Sequence, residues 1–142
     1  MDATHFQVGF VVPDLEAAME EFAAALGVEM IGPQERELGS DGVLRIAFAR
    51  TLRPYLELIE GPAGSIWDAT SGPKIHHFGY WSEDMDADST RLEAAGLARE
   101  IDLGFARYHG PGAATGVRIE LISTEHRDTF YGRWGLVETK IG

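Results

Sequence analysis

The chain has 142 residues, 44% of them hydrophobic, which suffices for one ordinary domain or for two small modules that share a core. Its 12 basic residues against 23 acidic ones give a formal net charge of −11, which repels phosphate backbones and anionic membrane surfaces and so excludes nucleic acid and membrane as partners. Cysteine is absent, so neither a disulfide framework nor a thiolate metal site is available, and any metal must be held by nitrogen and oxygen.

The N-terminal stretch MDATHFQVGF has no basic leader pattern, and no apolar run approaches the ~20 residues of a membrane span, so a cytoplasmic protein is expected. From Gln7 the alternation of side chains predicts a strand. It is followed by a helix in which Leu15, Met19, Phe22 and Leu26 recur at helical spacing and form a core stripe. Strands are then predicted at Val28–Leu38, Leu44–Arg50 and Pro54–Glu60, with a turn at Gly39-Ser40-Asp41-Gly42. The segment after Gly61 is a linker, at about residues 62–73. A second strand–helix pair starts at His77 within a module of about 74–124, and its further strands are predicted at Arg99–Leu103, Phe105–His109 and Gly116–Ser123. HRDTFYGRWG then reads as a C-terminal helix at about 125–135, with Phe130 and Trp134 on one side, placed to cap a cleft or a dimer interface.

The two modules, the first at about 4–61, repeat one another. QVGFVVPDLEAAMEEFAAALG aligns without a gap with HFGYWSEDMDADSTRLEAAGL, 70 residues later, and Leu56-Glu57-Leu58-Ile59 answers Ile119-Glu120-Leu121-Ile122. Asp14 and Asp84 precede the two helices, where a carboxylate meets unpaired amides and the positive end of the dipole. The predicted fold is α+β: two βαβββ modules, each too small to bury both faces of its sheet, paired into one curved mixed sheet around a cleft.

Strand alternation decides which side chains meet in that cleft. His5, Gln7, Gly9 and Val11 share one face of the first strand, and His77, Gly79 and Trp81 share the matching face in the second module, opposite His76. Glu57 and Glu120 interrupt apolar runs in the closing strands. An ionised carboxylate in a half-buried strand costs several kcal/mol unless a partner satisfies it. Salt bridges to Arg45, Arg107 or Arg118 are one solution. A divalent cation is the other, because Gln7 and His77 add an amide oxygen and an imidazole on the same face, and one ion satisfies all four. A nitrogen and oxygen set of this kind suits Zn, Ni, Co, Mn or Fe.

The motifs QVGFVVPDLEAAM, YLELIEG, KIHHFGYWSEDMDA and GVRIELIS, in this order and spacing, resemble the vicinal oxygen chelate superfamily, which includes glyoxalase I, methylmalonyl-CoA epimerase, extradiol dioxygenases and bleomycin-resistance proteins. The resemblance covers nearly the whole chain. It places the metal ligands on Gln7, Glu57, His77 and Glu120, a set similar to that of eukaryotic-type glyoxalase I, although many relatives have histidine at the position of Gln7. His5 is the alternative first ligand. Glutathione-dependent members carry an arginine where this chain has Val11, and extradiol dioxygenases use two histidines where only His77 matches.

The resemblance therefore implies a metal-dependent, glyoxalase-like isomerase, epimerase or lyase. The metal would stabilise an enolate of a small carbonyl or hydrophobic compound, with Glu120 and then Glu57 as candidates for the base that moves the proton. The alternatives are a metal-free binding or antibiotic-sequestering protein and, further off, an extradiol-type dioxygenase. A homodimer is expected. For substrate contacts the sequence offers His5, Arg107 and His109, with Trp67, Trp81 and Tyr55 as an aromatic wall.

Overall fold

The computed structural model describes residues 7–50 and 54–136. The first half runs β1 (Gln7–Val11), α1 (Leu15–Leu26), β2 (Met30–Glu37), β3 (Val43–Ala49) and β4 (Tyr55–Glu60). The second runs β5 (Lys74–Ser82), α2 (Met85–Ala94), β6 (Arg99–Asp102), β7 (Ala106–His109) and β8 (Arg118–Ser123), followed by α3 (Arg127–Trp134). All eight strands join one mixed sheet in the order β2-β3-β4-β1-β5-β8-β7-β6, so each half has the same internal order and the halves meet at β1 and β5. The expected pair of βαβββ modules and curved sheet are found.

Both helix starts follow from their caps. Asp14 and Asp84 hold extended backbone, and each side-chain oxygen accepts from the amide three residues on, Ala17 N and Ala87 N, at 3.0 Å. Gly27 ends α1 in the left-handed region, at φ 64°. The helices dock on the convex face by different chemistry. From α1, Leu15, Ala18, Met19 and Phe22 pack on Val12, Ala47 and Leu58, with Phe10 edge-on to Phe22. The predicted stripe runs out at Leu26, which is exposed in the last turn. In α2 the buried residues include Asp88 and Ser89, and docking is polar: Ser82 Oγ donates to Asp88 at 2.6 Å, and Ser89 pairs with His109 at 2.9 Å.

The larger core lies on the concave side. There α3 crosses the cleft end, setting Trp134 on Phe48 (ring centroids 4.7 Å apart) and Phe130 and Tyr131 against Trp81. Among the described residues no helix is long and apolar enough to cross a membrane.

Candidate metal centre

The four central strands, β4-β1-β5-β8, carry one polar cleft residue each. Cross-strand register explains how the four side chains come to one point. Gly9 lies between Glu57 on β4 and His77 on β5, while Gly79 lies between Gln7 on β1 and Glu120 on β8. The two glycines are required by space. A Cβ on Gly9 would overlap the His77 ring, and one on Gly79 would overlap the Gln7 side chain. Each glycine thus makes room for the neighbouring strand's polar residue, and the repeat makes the arrangement two-fold.

All four side chains are buried, with Glu57 the most exposed at 7%. His77 Nε2 is 2.8 Å from Glu120 Oε2 and 3.1 Å from Glu57 Oε1, and Gln7 Nε2 lies 2.6 Å from Glu120 Oε2 and 3.1 Å from His77 Nε2. One oxygen or nitrogen from each of Glu57, His77 and Glu120 falls within 4.8 Å of the others, a spacing that could hold a metal ion. The salt-bridge alternative is not realised. Arg45 binds Glu16 and Glu60, Arg107 binds Asp86 and Asp102, and Arg118 binds Glu100.

Protein groups alone do not complete this cluster. A single Nε2–H on His77 serves Glu120, leaving Glu57 Oε1 without a hydrogen bond, and Gln7 Oε1 is likewise buried and unbonded. Two buried acceptors without donors are costly, and a cation meets acceptors only. A half-turn of the Gln7 amide brings its oxygen to the place where Nε2 now meets Glu120. The residues therefore fit a divalent metal. The electrostatics of the cluster run against ionised carboxylates and a neutral imidazole when protein groups alone are counted. Burial raises the pKa of Glu57, only partly offset by His77. Burial alone would lower that of His77, but the carboxylates of Glu120 and Glu57 override it and push it up to about 9.

His76 corrects an expectation. Alternation puts it on the convex face, yet it is fully buried beside His77. The cause is a β-bulge: Gly9 pairs with His77 but Phe10 pairs with Ile75, so His76 is an extra residue in β5. Its Nε2–H donates to Ile66 O at 2.7 Å, which leaves its Nδ1 as an acceptor, 2.9 Å from His77 Nδ1. Neutral His77 then carries its proton on Nδ1 and presents the Nε2 lone pair to the carboxylates, the tautomer a metal requires. Trp67, from the linker, is buried and stacks on His76.

A cavity of about 230 Å³ opens from this cluster, lined by Gln7, Glu57, Glu120 and Trp67 together with Arg36, Phe105, Tyr108 and the α3 residues Phe130, Arg133 and Trp134. Other residues proposed for substrate contact lie elsewhere. Trp81 is in the core beneath α3, covered by Phe130 and Tyr131. Arg107 and His109 sit on the opposite face of β7, tied to α2: Arg107 donates to Met85 O and Asp86, and His109 bonds Ser89 and Leu97 O. Tyr55 is buried against Tyr131. His5 falls outside the described residues.

Two cleft residues were not singled out by the sequence. Tyr108 pairs in register with Glu120 and so shares its face; burial, then Glu120 and Glu57, raises its pKa well above the usual tyrosine range. Arg36 pairs with Leu44, whose cleft-facing side chain was the available signal.

Comparison with known proteins accords with this geometry. Residues 6–107 match the sequence profile of the Glyoxalase/Bleomycin resistance protein/Dioxygenase superfamily. An ethylmalonyl-CoA/methylmalonyl-CoA epimerase of Cereibacter sphaeroides is 35% identical over 99 residues, 68% of this chain and 73% of that protein. Among solved structures, methylmalonyl-CoA epimerase from Mycobacterium tuberculosis superposes with a TM-score of 0.62 at 24% identity, covering 84% of this chain and 87% of that one. A Streptomyces coelicolor methylmalonyl-CoA epimerase variant in complex with 2-nitronate-propionyl-CoA gives 0.60 at 21% identity, covering 84% and 96%. With its repeated βαβββ halves and this sequence match over most of its length, the chain belongs to the Glyoxalase/Bleomycin resistance protein/Dioxygenase superfamily.

Proposed function

We propose that this protein is a metal-dependent epimerase or isomerase that moves a proton at the carbon next to a carbonyl group, with Gln7, Glu57, His77 and Glu120 as metal ligands. The observation that carries this reading is the buried Glu57–His77–Glu120 cluster, whose acceptors protein groups leave partly unsatisfied. The similarity to an epimerase of 2-alkylmalonyl-CoA thioesters supports the choice of reaction within the superfamily.

A bound divalent cation supplies polarisation of the substrate carbonyl and lowers the cost of negative charge on its oxygen. The chain's own residues do the rest. Epimerisation takes a proton from one side of a tetrahedral carbon, which flattens as the proton leaves, and returns one to the other side, so it calls for a group on each side. Glu57 and Glu120, contributed by equivalent strands of the two halves, flank His77 and meet that requirement. Glu120 is the first candidate for the base and Glu57 the second. Trp67, Phe105 and Phe130 exclude water from the cavity and strengthen its electrostatics.

The test is solvent exchange. Metal-loaded protein in deuterium oxide is expected to label the carbon between the two carbonyls of a 2-alkylmalonyl thioester, followed by NMR, and Glu120→Gln should reduce the rate by roughly 100-fold or more. Absence of labelling with Zn, Ni, Co, Mn and Fe in turn, on protein shown to bind them, would overturn the proposal.

A further inference from the structure

Most of the described arginines of this acidic chain are engaged. Arg45, Arg50, Arg91, Arg99, Arg107 and Arg118 each hold a carboxylate. Arg36 and Arg133 do not: among the described residues neither guanidinium has an ion-pair partner, although the sequence has 23 acidic side chains. Both line the cavity that opens from the metal ligands.

The guanidinium carbon of Arg36 sits over the Phe105 ring, 3.9 Å from its centroid, a cation–π contact that helps to hold the side chain at the cavity wall. Gln34, two residues earlier on the same face of β2, donates to Arg133 O at 3.2 Å and so ties the end of α3 to the strand that carries Arg36. Burial and then the charge of Arg133 lower the pKa of Arg36, while Tyr108, Glu120 and Glu57 act the other way. Like charges held side by side without an anion are unfavourable. When a divalent ion balances Glu57 and Glu120, the half-buried guanidinium of Arg36 is left without a carboxylate, with the exposed Arg133 beside the same cavity.

We infer that Arg36 and Arg133 form a carboxylate subsite, and that the substrate is a small carbonyl compound whose carboxylate they hold while its carbonyl end reaches Gln7, Glu57, His77 and Glu120. The inference rests on the proposed function for the carbonyl end and on the two arginines alone for the anionic end. Planar guanidinium groups suit this task, since each offers paired N–H donors to two carboxylate oxygens.

Malonate titrated calorimetrically into the full chain, with and without bound Zn(II), provides the test, with dimethyl malonate as the uncharged control. Saturable binding of malonate but not of the ester is expected. Arg36→Gln and Arg133→Gln should each weaken it by roughly tenfold or more, and Arg36→Lys by less, with Zn(II) affinity unchanged. Equal malonate affinity in wild type and both glutamine variants would overturn the inference, as would binding of the ester as tightly as malonate. Should Arg36→Gln not fold, Arg133→Gln decides, because that side chain lies on the exposed surface of α3. Failure of Zn, Ni, Co, Mn and Fe alike to bind would instead remove the metal-based function, and malonate binding to the metal-free protein would still judge the subsite.

Discussion

His77 is held by two competing demands: its Nε2 faces two carboxylates that favour a proton there, and a metal can bind only after that proton leaves. In the metal-free protein its pKa is raised to about 9 from an unfolded value near 6.5. A raised histidine contributes stability that is complete below about pH 6.5 and is lost as pH climbs through about 9. Glu57, also raised, ionises at a cost in the fold and so acts in the same direction. His76 is the counterweight, since burial and the charge of His77 lower it to about 3, which makes acid below its unfolded value destabilising. Chelated protein should therefore melt at falling temperature as pH rises between about 6.5 and about 9, whereas metal-saturated protein should not. A chelated melting temperature that is flat or rising over that interval would contradict the charge arrangement. The Ile66–His76–His77 chain adds a second expectation. His76→Ala should lower metal affinity roughly 10- to 100-fold by releasing the His77 ring, without touching a ligand atom. Competition with a chromophoric chelator measures this, and an unchanged dissociation constant would deny His76 its positioning role.

At the scale of elements, α3 is where the cavity and the core coincide. Trp134 closes the cleft end and packs on Phe48 at the same time, and is 6% exposed. Trp134→Ala should destabilise the protein by about 3–5 kcal/mol in urea unfolding, with the cavity opened to solvent. A loss below about 1 kcal/mol would mean that α3 rests on the cleft without closing it. The helix itself was legible, as were the repeated halves and both aspartate caps, because each depends on local chemistry or on period-two alternation. Which face a strand presents was harder to read. Arg107 and His109 share a strand face that the sequence offers equally for substrate contact or as an exposed pair; pairing of Tyr108 with Glu120 sends Tyr108 inward and its two neighbours to α2. One bulged residue likewise moved His76 to the face of His77. Trp81, expected to look into the cleft, lies in the core beneath α3, a tertiary contact that no strand periodicity reports.

For the whole molecule, the proposed metal ligands tie together strands separated by up to 113 residues, since Gln7 of the first strand meets Glu120 of the eighth. A metal held by these side chains would couple its binding to the joining of the halves. Divalent metal present at 100 times its dissociation constant stabilises the fold by about 2.7 kcal/mol, which for a chain of this size raises the Tm by roughly 8–10 °C. Because β1 and β4 come from one half and β5 and β8 from the other, the shift should belong to a single cooperative transition, with amide protection rising in both β1 and β5. Either Glu57→Gln or Glu120→Gln should remove most of it, although these residues lie in different halves. A net charge of −11 invites adventitious binding of cations at the surface, which the Glu57→Gln, Glu120→Gln double variant controls for. A shift that survives in the double variant, or two transitions of which only one responds to metal, would show that the ion does not bridge the halves through these side chains.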